Sequence, residues 1–281
     1  ASGRIAYYNP TEIEEHDDGK GGTTAVLLVD GQPVESGGIG TMSKSKNNGV
    51  DPQTLVDTLG ADTARLFTMF TAPPEQTLEW SDEGVQGASR FLKRIWKAVH
   101  THVSGGAAGP VAPADLNEGQ KVLRRQVHQT LVKVSDDLGR RHTFNTAIAA
   151  VMELLNAVNR APALAPADRS VIQEALELMI LMLSPIVPHI CHRLWHVLGH
   201  EVAIIDQPWP RPDADALKAE TREIVVQVNG KLRGRVTVAA DAPEAEVRAA
   251  ALADGNVQRF VGDQAVRKVI VVPGKLVNVV V

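Results

Sequence analysis

A chain of 281 residues with 44% hydrophobic, 22% charged and 4% aromatic residues has ample apolar material for real cores, which excludes disordered and fibrous classes and suggests about two domains. No apolar run nears the ~20 residues of a membrane span, no secretory signal opens the chain, and one cysteine, Cys191, excludes a disulfide framework or a four-cysteine zinc site. A soluble, cytoplasmic protein without membrane contact is expected. The net charge of −4 argues against a uniformly basic nucleic-acid binder, but the charge is segregated. Residues 1–83 carry 5 Lys/Arg against 14 Asp/Glu, residues 84–160 carry 11 against 5, residues 161–222 carry 5 against 8, and residues 223–281 carry 8 against 6. Two cationic segments in an acidic chain fit a protein of which only parts touch a polyanion.

In chain order, residues 1–40 show a short β-like run from Thr24 to Val29 and an Asp30-Gly31 turn before another extended stretch, punctuated by Gly21-Gly22 and Gly37-Gly38. They read as a small β-rich insert. Thr41 to Gly49 is polar and rich in Ser, Asn and Gly, hence a surface loop. Asp51-Pro52 caps and opens one helix, Asp62 to Phe70 forms another, and Pro73-Pro74 stops it. Apolar residues then recur at three- and four-residue spacing in Val85–His102, Leu116–Leu138, Thr143–Asn159 and Asp168–Leu198. Pro185 and Pro188 should kink or interrupt the last of these. Long amphipathic helices with short connections imply an antiparallel bundle over 84–210. Pro208, Pro210 and Pro212 lead into a stiff linker, 211–222. Beyond it, two alternating strands flank Asn229-Gly230, a helix at Ala242–Ala253 and a shorter one at Val257–Gly262 follow, and two strands are split by Pro273-Gly274. Residues 223–281 thus read as a ββααββ domain. The fold class is α+β and multidomain: a mainly α-helical bundle preceded by the β-rich insert and the loop segment 41–83, and followed by the small α/β domain.

The sharpest chemical signal is Met42-Ser43-Lys44-Ser45-Lys46. Two lysines on a small-residue loop can swing onto a polyphosphate, with Ser43 and Ser45 hydroxyls and backbone amides as further donors. Taken alone, such a loop is more often a solvated turn.

Thr41 to Gly49 resembles the second signature loop of class I aminoacyl-tRNA synthetases, usually Lys-Met-Ser-Lys-Ser, and Gly60-Ala61-Asp62-Thr63-Ala64-Arg65 resembles a segment of their leucine, isoleucine, valine and methionine members. Thr77-Leu78-Glu79-Trp80, Phe91-Leu92-Lys93-Arg94-Ile95-Trp96, Phe144-Asn145-Thr146-Ala147, Val228-Asn229-Gly230-Lys231 and Val272-Pro273-Gly274-Lys275-Leu276-Val277-Asn278 are similar to the bacterial leucyl-tRNA synthetases over nearly the whole chain. The tail has neither the cysteine zinc site usual in the isoleucine branch nor the coiled coil of the valine branch. Thr41 stands where the family's first signature lysine would be. The resemblance implies a C-terminal part of a leucine–tRNA ligase, beginning within a leucine-specific insertion. No His-Ile-Gly-His-like nucleotide signature and no editing domain occur here, so the fragment alone is expected to be inactive. The intact enzyme would use ATP and Mg²⁺ to activate leucine and pass it to leucine tRNA, with no cofactor held permanently by this piece, no resident metal, and a monomeric state.

The resemblance further implies that Lys44 is catalytic, contacting ATP phosphates within an ATP-binding set of Met42, Ser43, Lys44, Ser45 and Lys46. It also gives the bundle's cations a role. Arg90, Lys93, Arg94 and Lys97 share the helix from Val85, Arg124 and Arg125 lie on the next, and Arg140 and Arg141 at its end. A solvated charged face is the bland reading of such residues. The resemblance favours tRNA backbone contact through an anticodon-binding type of bundle, giving affinity and salt dependence with little base readout. In the last domain Lys231, Arg233 and Arg235 alternate, with Lys268 elsewhere. The alternation either marks the solvent face of a sheet or meets the tRNA's outer corner.

Other constellations read as structural. His189, Cys191 and His192 sit amid Ile186, Val187, Ile190, Leu194 and Trp195, a core helix, and buried cysteine behaves as a small hydrophobe. Asp136-Asp137 is no paired-carboxylate site, since adjacent helical residues face apart. Trp80, Trp96, Trp195 and Trp209 suit packing. Two functions of other classes compete: a stand-alone tRNA-binding module, against which a lysine loop with no ATP site to serve argues, and a bundle that only scaffolds other domains. Salt-titrated tRNA binding separates those two.

Overall fold

The computed structural model describes residues 5–17, 23–35, 40–218, 221–240, 242–262 and 264–281. The Gly21-Gly22 and Gly37-Gly38 punctuation lies outside the described residues, as do positions 219 and 220 of the linker.

The chain opens with a three-stranded antiparallel sheet, β1 (Ile13–Asp17), β2 (Thr23–Leu27) and β3 (Pro33–Val34). β2 and β3 are the two extended stretches expected from sequence. β1 is an addition to them: its Ile-Glu-Glu-His-Asp string has the charge of a loop, and only pairing with β2 from Ile13↔Leu27 onward makes it a strand. In the loop that follows, Lys44–Lys46 form one 3₁₀ turn.

α1 (Pro52–Leu59) starts where Asp51 accepts hydrogen bonds from Gln53 N and Thr54 N, with Pro52 in the first turn. α2 (Ala61–Thr71), α3 (Asp82–Ser104), α4 (Glu118–Asp136), α5 (Phe144–Arg160), α6 (Pro166–Leu183) and α7 (Pro188–Val197) complete the helical part. Asn117 and Gln120 form a reciprocal capping box at the head of α4, and the Gln120 amide continues to Asp168 in the first turn of α6. One apolar core runs through α2 to α7, with Leu66, Leu131, Ile148, Leu154, Leu176, Met179, Ile180 and Leu194 fully buried. Pro185 and Pro188 interrupt the predicted last helix and divide it into α6 and α7, since proline at α7's first position cannot continue the ladder from α6. Between α4 and α5 the helix widens into a π turn, Asp137–Arg141, and ends on His142 in the left-handed region at φ 54°.

A second, separate core lies in the C-terminal part, built on Ile224, Val226, Val228, Val238, Val247, Ala251, Val257, Val277 and Val279. The expected ββααββ order holds: β4 (Thr221–Val228), β5 (Lys231–Ala239), α8 (Glu244–Ala253), α9 (Gly255–Val261), β6 (Lys268–Val272) and β7 (Leu276–Val280). The hairpin turn is Asn229-Gly230, both at positive φ (49° and 78°), which the two-residue turn requires and which glycine adopts without strain. The sheet order is β5-β4-β7-β6, with β4 and β7 parallel and the other pairs antiparallel. The crossover from β5 to β6 through two helices is what permits that central parallel pair.

Candidate nucleotide loop and nucleic-acid surface

The Met42–Lys46 stretch is held in shape by its neighbours. Ser43 caps the turn, its Oγ accepting from Lys46 N at 3.3 Å, and its own N–H donates to Asn48 Oδ1 at 2.8 Å. The other end of the Asn48 amide donates to Thr41 O at 3.3 Å, so one side chain staples the two ends of the loop. Asn47 occupies the left-handed region (φ 48°), a conformation asparagine tolerates, and its amide reaches Glu12, just ahead of β1, at 3.4 Å. Ser43 and Ser45 hydroxyls face each other at 3.2 Å. Lys44 and Lys46 are exposed, and among the described residues neither ammonium has an ion-pair partner. The loop therefore presents two uncompensated cations on a turn whose backbone is already set. Sequence reasoning does not single out Asn47 and Asn48; the Asn-Asn-Gly run after the lysines is the signal that points to them.

Of the bundle cations, Arg90, Lys93, Arg94 and Lys97 are all exposed on α3. Arg94 also donates to Asn156 Oδ1 of α5, which fixes the direction of that side chain. Arg140 and Arg141 project from the π turn, each tied to a carboxylate one turn back: Arg140 to Asp136, Arg141 to Asp137 at 3.4 Å. The Arg140 bond holds Asp136 below the usual carboxylate range. Burial pushes Asp137 up, but hydrogen bonds from Lys133 and Thr146 and the Lys133 charge outweigh it. Arg125 is half-buried and donates to Lys218 O at 3.0 Å, pinning the linker to α4.

Arg124 departs from its expected place on the RNA-facing surface. It is buried, donating to Glu174 at 2.8 and 3.0 Å and to Asp213 at 2.7 Å. His128 adds a contact to Glu174 at 3.2 Å. The three-residue spacing that sets Arg124 beside the other basic residues also turns it inward, and long-range carboxylates rather than solvent satisfy its fork.

The C-terminal cations need a second correction. Lys231, Arg233 and Arg235 do not share a face, because the strand bulges between them. Val228 pairs with Lys231, Gln227 with Leu232 and Val226 with Gly234, leaving Arg233 as the extra residue. A bulge breaks the period of two. Lys231 consequently stands on the side of buried Val226 and Val228, while Arg235 stands on the opposite face and pairs with Glu223 at 3.1 Å. Arg233 is re-aimed toward α9, its guanidinium 3.9 Å from the centre of the Phe260 ring. A Cβ at the next position, Gly234, would lie 2.6 Å from Asp254 Oδ1, the atom that caps α9, and would displace it. Lys268 opens the edge strand β6 and is exposed.

Of the residues read as structural, Cys191 and Trp195 are buried, whereas His189 and His192 are exposed on α7. Cys191 is buried in the α7 core, and that burial raises its thiol well above the ordinary value. Trp80 packs edge-on to Phe67 at 5.1 Å and Trp195 is buried, whereas Trp96, beside His100, and Trp209, which donates to Ser135 Oγ at 2.8 Å, are 40% and 41% exposed. No helix among the described residues is long and apolar enough to cross a membrane.

Residues 120–249 match the family described as the anticodon-binding domain of tRNA ligase, a match that runs from α4 across the linker into α8. Along its full length the chain is 59% identical to the leucine–tRNA ligase of Nitrosospira multiformis and 58% identical to that of Marinobacter nauticus, and it covers 33% of each. A LeuRS of Agrobacterium radiobacter K84, solved as a ternary complex with tRNA and LeuAMS, superposes with a TM-score of 0.75 at 29% identity, covering 85% of this chain and 31% of that one. The chain thus spans about a third of the length of the curated relatives it matches.

Proposed function

Since this chain belongs by sequence with the leucine–tRNA ligases, as a segment about a third of their length, we propose that it works as the ATP-phosphate loop and tRNA-binding part of such a ligase. The observation that carries this reading is a preorganised loop with two unpaired lysines in a chain that aligns along its whole length with about a third of these ligases. The complete enzyme would activate leucine with ATP, accompanied by Mg²⁺, and transfer it to leucine tRNA, in the cytoplasm and as a monomer.

In this reading Lys44 meets the phosphates of ATP as leucine's carboxylate displaces pyrophosphate. Its charge is worth most where negative charge grows on the leaving phosphates, and the stapled loop spares the cost of arranging it during the reaction. Lys46 and the Ser43 and Ser45 hydroxyls assist, and Met42, 44% exposed, offers an apolar side chain to the same nucleotide. Thr41 cannot supply a cation at the first position, so the electrostatic work falls on Lys44 and Lys46. Arg90, Lys93, Arg94 and Lys97 on α3, with Arg140 and Arg141 on the π turn, would hold the tRNA backbone. Lys231, Arg235, Lys268 and the Arg233–Phe260 pair would meet its outer part. Arg124 and the linker-bound Arg125 would act on the fold instead.

The reading predicts that Lys44→Ala in the complete ligase slows leucine-dependent ATP–pyrophosphate exchange by roughly a hundredfold or more, the usual effect of losing one well-placed donor. An unchanged exchange rate would refute it. The isolated chain should show no exchange, because the loop needs a nucleotide fold opposite it that neither of the two described sheets resembles.

A further inference from the structure

Asp62 and Arg65 have no part in the chemistry above, yet they make the longest-range polar contacts of the segment that follows the signature loop. Both sit in the first turns of α2, and both point into the break between α6 and α7. That break leaves backbone groups without helical partners on each side. At the head of α7 the capping position is Val187, which has no side-chain acceptor to offer. Asp62 supplies the missing cap from across the bundle: its Oδ2 accepts from Ile190 N at 2.7 Å, and its Oδ1 meets His189 Nδ1 at 2.9 Å. This is the bond a local Ser, Thr or Asp would make to the third residue of the helix. At the tail of α6, Arg65 Nε donates to Ile186 O at 2.8 Å and Arg65 Nη2 to Pro185 O at 3.0 Å.

Two side chains one turn apart on α2 thus close both ends of the same proline-made joint. The joint lies more than a hundred residues away in sequence. α2 is not otherwise loosely attached, since Leu66 and Phe67 are buried in the main core. The polar clamp adds direction to that apolar contact, which by itself allows sliding and rotation. Upstream, only Gly60, α1 and the short connection from Gly49 to Asp51 separate the clamp from the lysine loop.

We propose that Asp62 and Arg65 are positioning residues for the ATP reaction, registering the signature loop against the helical bundle through the α6–α7 joint. The proposal rests on reading Thr41–Gly49 as the ATP loop of a leucine ligase. Misplacement of a catalytic group by about 1 Å can cost on the order of a hundredfold in rate. A clamp that sets the base of the loop therefore governs turnover without touching substrate.

The test uses the complete ligase with Arg65→Ala, Arg65→Lys and Asp62→Ala, and Lys44→Ala in parallel. Arg65→Ala should lower kcat for leucine-dependent ATP–pyrophosphate exchange about ten- to a hundredfold. The KM for leucine and the Kd for leucine tRNA should stay within about threefold, since this reading assigns neither ligand a contact on α2. Arg65→Lys keeps one donor for the two carbonyls and should recover part of the loss. Asp62→Ala, which removes both acceptor oxygens, should resemble Arg65→Ala. Exchange kcat unchanged in Arg65→Ala and Asp62→Ala, with Lys44→Ala inactive, would overturn the clamp alone. Parallel losses of kcat, leucine KM, tRNA affinity and melting temperature would also overturn it, by showing a merely structural role. If Arg65→Ala does not fold, Arg65→Lys is judged on the same criteria. Full activity of Lys44→Ala would refute the underlying reading and the clamp with it.

Discussion

Asn48 holds Ser43 N and Thr41 O with the two ends of one amide, so the shape of the lysine loop depends on a residue that meets no substrate itself. Asn48→Ala removes both bonds and leaves two backbone groups to water. In the complete ligase it should raise the KM for ATP severalfold and lower exchange turnover about tenfold, with the KM for leucine unchanged, as steady-state kinetics would show. Arg124 is the opposite case, a cation whose work is internal. The Arg124 hydrogen bonds are the main stabilising influence on Asp213, holding it below the usual carboxylate range. Burial pushes Glu174 up, but His128 and Arg124 outweigh it and its net shift is downward. Arg124→Met leaves those carboxylates half-buried without a fork. It should cost about 2–3 kcal/mol in urea denaturation at pH 7, below the value for a wholly buried pair because Asp213 is 36% exposed. The sign of the acid dependence follows from the same bonds. Both carboxyls bind protons less readily folded than unfolded, so their stabilisation is present above the ordinary carboxylate range and is lost as pH falls through it. Arg124→Met should flatten that acid limb while leaving tRNA affinity unaltered.

Between elements, buried polar contacts decide how helices register. His102 near the end of α3 faces Gln173 of α6 at 2.8 Å, and burial, the largest influence, depresses its protonation below the ordinary value of 6.5. Coulombic repulsion from Arg169 acts in the same direction, while Gln173 and Glu177 oppose it. A histidine with a lowered folded pKa binds fewer protons folded than unfolded, so stability is greatest above pH 6.5 and declines as pH drops below it. His102→Gln keeps a hydrogen-bonding group there and should remove this slope between pH 7 and 5, as thermal melts across that range would reveal. The bulge at Arg233 is the other element-scale device. It separates Lys231 from Arg235 and delivers Arg233 to Phe260. Phe260→Ala should weaken tRNA binding if that pair is used, without changing the unfolding free energy by more than about 1 kcal/mol, since the ring is already 48% exposed.

The whole molecule carries its positive charge in places rather than throughout. The bundle cations face water on α3 and the π turn, while the net charge is −4. Binding through such sites releases counterions from RNA, so log affinity for leucine tRNA should fall linearly with log salt. Substituting Arg90, Lys93 and Lys97 together by alanine should reduce the magnitude of that slope by about two to three, close to one for each phosphate left without its cation. A fluorescence-anisotropy titration at several salt concentrations measures it. An unchanged slope would place the RNA elsewhere on the molecule.

What the sequence by itself determined is local. The cap at Asp51, the three- and four-residue apolar spacing, the prolines that end α6, the Asn-Gly hairpin and the lysine loop each depend on residues within one or two turns of one another. The order of neighbouring amino acids is therefore enough to specify them. Tertiary structure decided the rest. Arg124 resembles its basic neighbours in spacing, but carboxylates 50 and 89 residues away claim it. The alternation of Lys231, Arg233 and Arg235 fails because pairing with β4 inserts a bulge. Ile13–Asp17 becomes a strand through a partner, not through its own composition. Asp62 and Arg65 find the joint they close 120 to 128 residues along the chain. For Arg124, Asp62 and Arg65 the free energy comes from satisfying a buried charge or orphaned backbone groups, and for β1 and the bulge from strand pairing; no pattern in the neighbouring residues records which distant group will meet that need.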